Sequence, residues 1–213
     1  MSEKFNLYCE RIGAGIWDEP VNAITNFAFL VAAWLIWRLA KQLRLNSNEI
    51  NLLIILMALI SIGSALFHTF ATGWAQILDI APILLFQLIY LWVYFRRIVD
   101  MRPGFISLIL LAYFAAAIAG RQLPHLLNGS LIYAPAALLV FIVGIYHYAT
   151  ERVGRHLILA ATVVFFLSLT FRTIDNMICP QFPLGSHFLW HICNAITLYL
   201  LMRALLLNRA VEV

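Results

Sequence analysis

Three histidines in two segments of the chain have the spacing of metal ligands. His187 and His191 are four residues apart, so their imidazoles lie on one face of a helix. His68 ends a long apolar run and shares a helix face with Ser61 and Ser64. Three histidines from two helices are typical of a catalytic zinc centre whose fourth position is left for water. The pattern predicts zinc on His68, His187 and His191.

Two further polar residues accompany His68. Ser64 precedes it by four residues, and Asp79 follows it by eleven, across a short turn. Polar groups at the ends of membrane helices usually face one another or a cavity, because lipid offers them no partner. Asp79 is therefore a candidate general base and Ser64 a candidate hydrogen-bond donor to a developing oxyanion. The alternative for Ser64 is a local hydrogen bond to the carbonyl four residues earlier.

The composition places these residues in a membrane protein. The chain has 213 residues, of which 63% are hydrophobic and 11% charged, and its mean hydropathy is +0.90. Soluble domains are about half apolar and a quarter charged. We expect one membrane domain over residues 1–213, with a polar leader at 1–19 and no cleaved signal peptide. The net charge of +4 does not indicate nucleic-acid binding, because the basic residues fall in particular loops.

Seven apolar runs follow the leader, each near the roughly 20 residues that a helix needs to cross a bilayer. They are placed at 21–40, 50–71, 74–95, 104–120, 129–149, 156–176 and 185–207. The prediction is an all-α protein with seven transmembrane helices.

The basic residues predict the orientation, because cytoplasmic loops are enriched in Lys and Arg. Ten of the fourteen fall on one side, namely Arg38, Lys41, Arg44, Arg96, Arg97, Arg102, Arg152, Arg155, Arg203 and Arg209. The other side has Lys4, Arg11, Arg121 and Arg172. We therefore expect the N-terminus outside and the C-terminus in the cytoplasm.

With this topology, polar residues from four runs gather near the outer side. They are Glu19, Asn22 and Asn26 at the first run, Ser64 and His68 at the second, Asp79 at the third, and His187, His191 and Asn194 at the seventh. Spacing and topology are independent observations, and both place these groups in one layer. Arg172 and Asp175 end the sixth run on the same side, where they could pair with each other or take part in the site. His125, His147 and His156 are expected to be structural.

The order of these residues resembles the alkaline ceramidase family, within a wider group of seven-helix membrane hydrolases that includes adiponectin-receptor-like proteins. The resemblance lies in Glu19-Pro-Val-Asn22 with Asn26, Ser64-x-x-x-His68, Asp79 and His187-x-x-x-His191. It implies zinc on the three histidines, with Ser64 and Asp79 beside the metal's water. It also implies hydrolysis of the amide bond of a ceramide-like membrane lipid.

The leader carries a second part of the resemblance. Its Tyr8-Cys9-Glu10-Arg11 stretch is similar to the segment in which family members bind calcium. Glu10 and Glu19 match acidic positions of that segment, whereas Asn6 and Leu7 stand where an acidic residue is usual. Two interpretations stay open for Glu10, Glu19, Asn22 and Asn26: they bind Ca²⁺, or they orient the zinc ligands and pack the helices.

The cysteines permit one disulfide. Cys9 in the leader and Cys179 between the last two runs are both predicted on the outer side, where oxidising compartments allow disulfides. The family resemblance implies a similar pairing, and the alternative is two unpaired loop thiols. Cys193 lies within the seventh run and is expected to stay reduced.

These observations favour a zinc-dependent amidase that cleaves ceramide-like lipids into a fatty acid and a sphingoid base inside the membrane. The main alternative is a seven-helix receptor or sensor with a structural metal, which would need a fourth protein ligand; Cys193 is the one thiol nearby. Lys4 and Lys41 are the only lysines and neither is mid-span, which excludes a retinal Schiff base. A transporter is disfavoured because transport sites tend to lie near the midplane. No obligatory protein partner is expected.

Overall fold

The computed structural model describes residues 4–211, which contain helices and loops but no β-strand. Seven helical segments are long and apolar enough to cross a membrane. They are Pro20–Gln42, Asn48–Phe70, Gly73–Arg97, Pro103–Arg121, Leu126–Ala149, Leu157–Ile178 and His187–Arg209. The predicted all-helical fold with seven helices long and apolar enough to span a membrane is confirmed.

The first span is divided into α1 (Pro20–Thr25) and α2 (Phe27–Gln42) at Asn26. The Asn26 side chain donates to the carbonyl of Asn22 at 2.8 Å, and the Ser61 hydroxyl donates to the carbonyl of Asn26 at 2.7 Å. Side chains that enter the backbone hydrogen-bond ladder commonly bend a helix. The bend is fixed against α3 (Asn48–Phe70), the helix that carries His68.

A tight hairpin joins α3 to α4 (Gly73–Arg97). Ala71 ends α3 in the left-handed conformation (φ 50°, ψ 42°), and Thr72 directly precedes α4. The two helices approach closely at Gly63, where a Cβ would collide with the carbonyl oxygen of Leu78. This close antiparallel packing brings the end of α3, with His68, beside the start of α4, with Asp79.

The fifth span differs from the sequence prediction. Within Leu126–Tyr133, short 3₁₀ turns are interrupted by a kink, and α6 begins only at Ala134 and ends at Ala149. Leu127, Asn128 and Gly129 have positive φ angles of 53°, 51° and 71°, which no right-handed helix accommodates. The predicted run at 129–149 lies within the span Leu126–Ala149, but its regular α-helix begins only at Ala134. This segment follows α5 (Pro103–Arg121).

The last two helices, α7 (Leu157–Ile178) and α8 (His187–Arg209), are joined through Asp175. Its carboxylate accepts hydrogen bonds from the backbone N–H groups of Ser186 at 2.7 Å and His187 at 2.9 Å. An anion is favourable there because the first N–H groups of a helix have no partner within the helix. Asp175 thus fixes the start of α8, where His187 lies.

The expected pairing of Arg172 with Asp175 is wrong. The guanidinium of Arg172 instead donates to the carbonyl of Asn128 at 2.8 Å and to the hydroxyl of Ser130 at 2.9 Å. Asp175 is occupied by backbone N–H groups, including that of Cys9 at 3.0 Å. The backbone donors of two other segments therefore replace the neighbouring arginine as its partners.

Candidate metal centre

The three histidines converge in the interior of the bundle. His68 from α3 and His187 and His191 from α8 are each 1–2% exposed. One ligand nitrogen from each ring lies within 4.8 Å of the corresponding atoms of the other two. Among residues 4–211, no Cys, Asp or Glu joins this group of three. The arrangement offers three neutral nitrogen ligands, which leaves a coordination position for water or substrate.

The hydrogen bonds of the rings fit a metal. Nδ1 of His68 lies 2.5 Å from Oε2 of Glu19, and Nδ1 of His191 lies 3.0 Å from the hydroxyl of Thr25. Their Nε2 atoms can therefore face the metal. Nε2 of His191 and Nδ1 of His187 are buried without a hydrogen-bond partner in the described chain. Buried polar atoms are rarely left unpaired, and a metal ion held between the rings would satisfy them.

Glu19 stands directly behind His68. It is 3% exposed, and its carboxylate also accepts from the guanidinium of Arg11 and, at 3.2 Å, from the amide of Asn22. Burial alone would raise the pKa of the Glu19 carboxyl, but the hydrogen bonds from His68 and Arg11, together with the charge of Arg11, outweigh burial and hold the pKa below its ordinary value. Glu19 therefore acts as an anionic hydrogen-bond partner for His68.

The other candidates from the leader and the first span lie behind the centre and form hydrogen bonds with the backbone. The two carboxylate oxygens of Glu10 accept from the backbone N–H groups of Val21 at 2.7 Å and Asn22 at 2.8 Å. Glu10 thereby caps the first turn of α1, which its negative charge favours. Asn22 and Asn26 are completely buried and make their contacts along the bend of the first span.

Tyr8 covers the centre from the leader side. Its ring stacks on His187, with centroids 3.6 Å apart and an angle of 19° between the planes, and lies 5.2 Å from the ring of His68. The adjacent Cys9 forms a disulfide with Cys179, with 5.5 Å between the Cα atoms. The leader is thus tied across the end of α7 and shields the histidines on that side.

A mostly apolar cavity begins at the histidines and extends into the bundle. Ser64 and Asp79 line it beside the three imidazoles, and their side chains are in contact. Phe86, Phe165, Trp190 and Leu201 are among its apolar walls.

His191 and Leu201, which both line the cavity, lie ten residues apart on α8, or about 15 Å along the helix axis. At that depth the hydroxyl of Tyr90 donates to the carbonyl of Leu201 at 3.1 Å.

The structure brings most of the predicted polar layer together. The cavity is lined by six of these residues, namely Ser64, His68, Asp79, His187, His191 and Asn194.

Three residues that contribute to the site were not among the predicted site residues, namely Arg11, Thr25 and Tyr8. Thr25 follows Asn22 by three residues on the same helix face, a spacing that could have indicated it. Arg11 carried no such signal, because a cation in a polar leader is normally solvated.

His147 and His125 are not members of the group of three. His147 is fully buried in α6, where its Nδ1 pairs with the hydroxyl of Tyr94 at 2.7 Å. His125 is exposed in the segment before the fifth span. The buried, hydrogen-bonded position of His147 agrees with the structural role expected for it.

Comparison with known proteins agrees with this architecture. The Ceramidase family model matches residues 11–212, nearly the whole chain. A search of the curated proteins found no match. The matched region contains all seven spans, the three histidines, Ser64 and Asp79. The chain belongs to the Ceramidase family.

Proposed function

We propose that this protein is a zinc-dependent amidase that hydrolyses ceramide-like lipids to a fatty acid and a sphingoid base. Membership of the Ceramidase family supports hydrolysis of a lipid amide bond. The observation that carries the zinc assignment is the set of three buried imidazoles with unpartnered nitrogens at the mouth of an apolar cavity. The absence of a fourth Cys, Asp or Glu from this group within residues 4–211 favours a catalytic metal over a closed structural one.

Each residue of the site has a separate role in the proposed hydrolysis. His68, His187 and His191 would hold Zn²⁺, which would serve as a Lewis acid and lower the pKa of a nearby water towards about 7. The Asp79 carboxylate takes a proton from the attacking water and returns it to the leaving nitrogen as the C–N bond breaks. The Ser64 hydroxyl donates a hydrogen bond to the carbonyl oxygen as negative charge develops there. One amide and one water thus give one carboxylic acid and one amine.

The apolar cavity positions the lipid substrate for the reaction. An acyl chain lying along its apolar walls would leave water and place its amide carbonyl next to Ser64 and Asp79. Holding a substrate in this way converts an encounter into a reaction between neighbours, which can lower the barrier by several kcal/mol. The substrate reaches the site from the surrounding bilayer.

We further propose that the N-terminus and the zinc centre lie near the non-cytoplasmic face. Ten of the fourteen Lys and Arg residues lie at the opposite ends of the spans, which predicts that those ends are cytoplasmic. The Cys9–Cys179 disulfide is compatible with an oxidising compartment on the side of the N-terminus. A fluorescent protein fused after Val213 should fluoresce and an alkaline phosphatase at the same position should be inactive. The reverse result would contradict this orientation.

The proposed activity is tested with purified protein and a ceramide of defined acyl chain in detergent micelles. Mass spectrometry should detect the fatty acid and the sphingoid base in equal amounts, growing linearly with enzyme concentration. The exposed His125→Ala variant should match the wild type. Release of neither product by zinc-containing, folded protein would contradict a ceramide-like substrate.

A further inference from the structure

The acidic groups of the leader do not fit the calcium site that the family resemblance implies. Both carboxylate oxygens of Glu10 accept backbone N–H groups of α1, and Glu19 is engaged by Arg11, Asn22 and His68. Asn6 and Leu7 stand where the acidic residue is usual, and both are exposed. Calcium binding requires six to eight oxygen ligands, commonly from several carboxylates and carbonyls. Within residues 4–19, the part of the leader that the structure describes, too few uncommitted carboxylates remain to build such a shell.

The guanidinium of Arg11 lies where a carboxylate oxygen and two backbone carbonyl oxygens converge. The side chain of Arg11 is fully buried. It donates to the Glu19 carboxylate, to the carbonyl of His68 at 2.7 Å and to the carbonyl of Gly15 at 3.2 Å. The Asp18 carboxylate lies 4.0 Å away. Carboxylate and backbone carbonyl oxygens are the ligand types that hard cations select, and a buried guanidinium is stable only when it is paired in this way.

We propose that Arg11 is a built-in cation that takes the place of Ca²⁺ in this protein and positions the zinc ligand His68. Two contacts connect Arg11 to that residue. Its Nη2 holds the backbone carbonyl of His68, and its Nε holds Glu19, whose other carboxylate oxygen holds Nδ1 of His68. One guanidinium therefore fixes both the backbone and the ring of the same ligand. Groups that orient metal-bound histidines typically change metal affinity by about 10–100-fold when they are removed.

The wild-type protein provides the first test, which needs no variant. Purified protein in calcium-depleted buffer is titrated with CaCl₂ to millimolar concentrations, and the melting temperature and bound calcium are measured. Because Arg11 already neutralises the oxygen cluster, neither quantity should change. Equimolar calcium binding, or a clear rise in the melting temperature of the wild type, would overturn the proposal.

The Arg11→Ala variant gives the converse test. It leaves Glu19 and Asp18 around an empty cationic position, so we expect weaker zinc binding by about 10–100-fold and a melting temperature that CaCl₂ raises. Zinc affinity is measured by competition with a chelating dye. The exposed Arg121→Ala variant, which removes one positive charge from the same predicted side, should show neither effect. Unchanged zinc affinity in Arg11→Ala would contradict the positioning role.

Arg11→Lys separates charge from geometry and serves if Arg11→Ala does not fold. Lysine keeps the positive charge but lacks the planar fork that reaches several acceptors at once. We expect zinc affinity below that of the wild type and no stabilisation by calcium. Stabilisation of Arg11→Lys by CaCl₂ would contradict the proposal. The proposal depends on the proposed function only in taking zinc as the metal. None of these readouts uses lipid hydrolysis, so a failure of the Arg11 proposal can be distinguished from a failure of the proposed amidase function.

Discussion

Glu19 and His68 form a 2.5 Å hydrogen bond between a carboxylate oxygen and Nδ1 of the imidazole. The bond joins the end of the leader to α3 and holds the ring so that Nε2 is directed away from Glu19. Histidines that bind metals commonly give their second ring N–H to a carboxylate, which fixes the tautomer and strengthens the ligand. The leader is therefore part of the candidate metal centre.

Glu19→Gln should weaken zinc binding by about 10–100-fold while the chain remains folded. The amide is neutral, so it keeps the shape of Glu19 but loses the charge that supports His68 and pairs with Arg11. Competition with a zinc-chelating dye measures the change. Glu151→Gln, at an exposed position far along the sequence in the loop before α7, should bind zinc like the wild type. Equal zinc affinity in both variants would mean that Glu19 does not support the metal.

Each of His68→Ala, His187→Ala and His191→Ala should lose zinc or bind it far more weakly, because two imidazoles are a poor site for Zn²⁺. The measurement is metal analysis of protein purified in parallel. His125→Ala should keep its zinc, since His125 is exposed and distant from the centre in the sequence. Equimolar zinc in all three variants of the cavity histidines would contradict the ligand assignment.

Asp79→Asn should keep zinc but lose about 10²–10⁴-fold in kcat, the usual contribution of a general base. Asp79 lines the cavity beside Ser64, and it is not part of the group of three metal-ligating side chains. Initial rates of ceramide hydrolysis and metal content are measured on the same preparation. Unchanged turnover with full zinc occupancy would remove Asp79 from the mechanism, whereas loss of zinc would indicate that it is a ligand.

The cluster of three histidines could be anticipated from sequence because its members follow two simple regularities. His187 and His191 share a face through helical spacing, and the alternation of seven spans places His68 at the same side as both. The partners of Arg11 could not be anticipated, because its contacts with Glu19 and His68 depend on how the leader folds back over the bundle. The expected pairing of Arg172 with Asp175 rested on their closeness in the sequence, and it was wrong. Both residues instead bind backbone groups from other segments.

The disulfide predicts a specific count of thiols. Unreduced, denatured protein should carry one reactive thiol, that of Cys193, because Cys9 and Cys179 are bonded to each other. After reduction all three should react with the same maleimide. We also expect Cys9→Ser to lower the free energy of unfolding by about 2–4 kcal/mol, because the disulfide closes a long loop. Three reactive thiols before reduction would show that the leader is not covalently tied to α7.

The most direct test of the central claim follows metal content and lipid hydrolysis together through a cycle of zinc removal and restoration. Purified wild-type protein should contain equimolar zinc and release a fatty acid and a sphingoid base from ceramide. A chelator should remove both the zinc and the activity, and added Zn²⁺ should restore both in proportion, whereas His191→Ala should recover neither. Full hydrolysis by protein freed of metal would contradict the account.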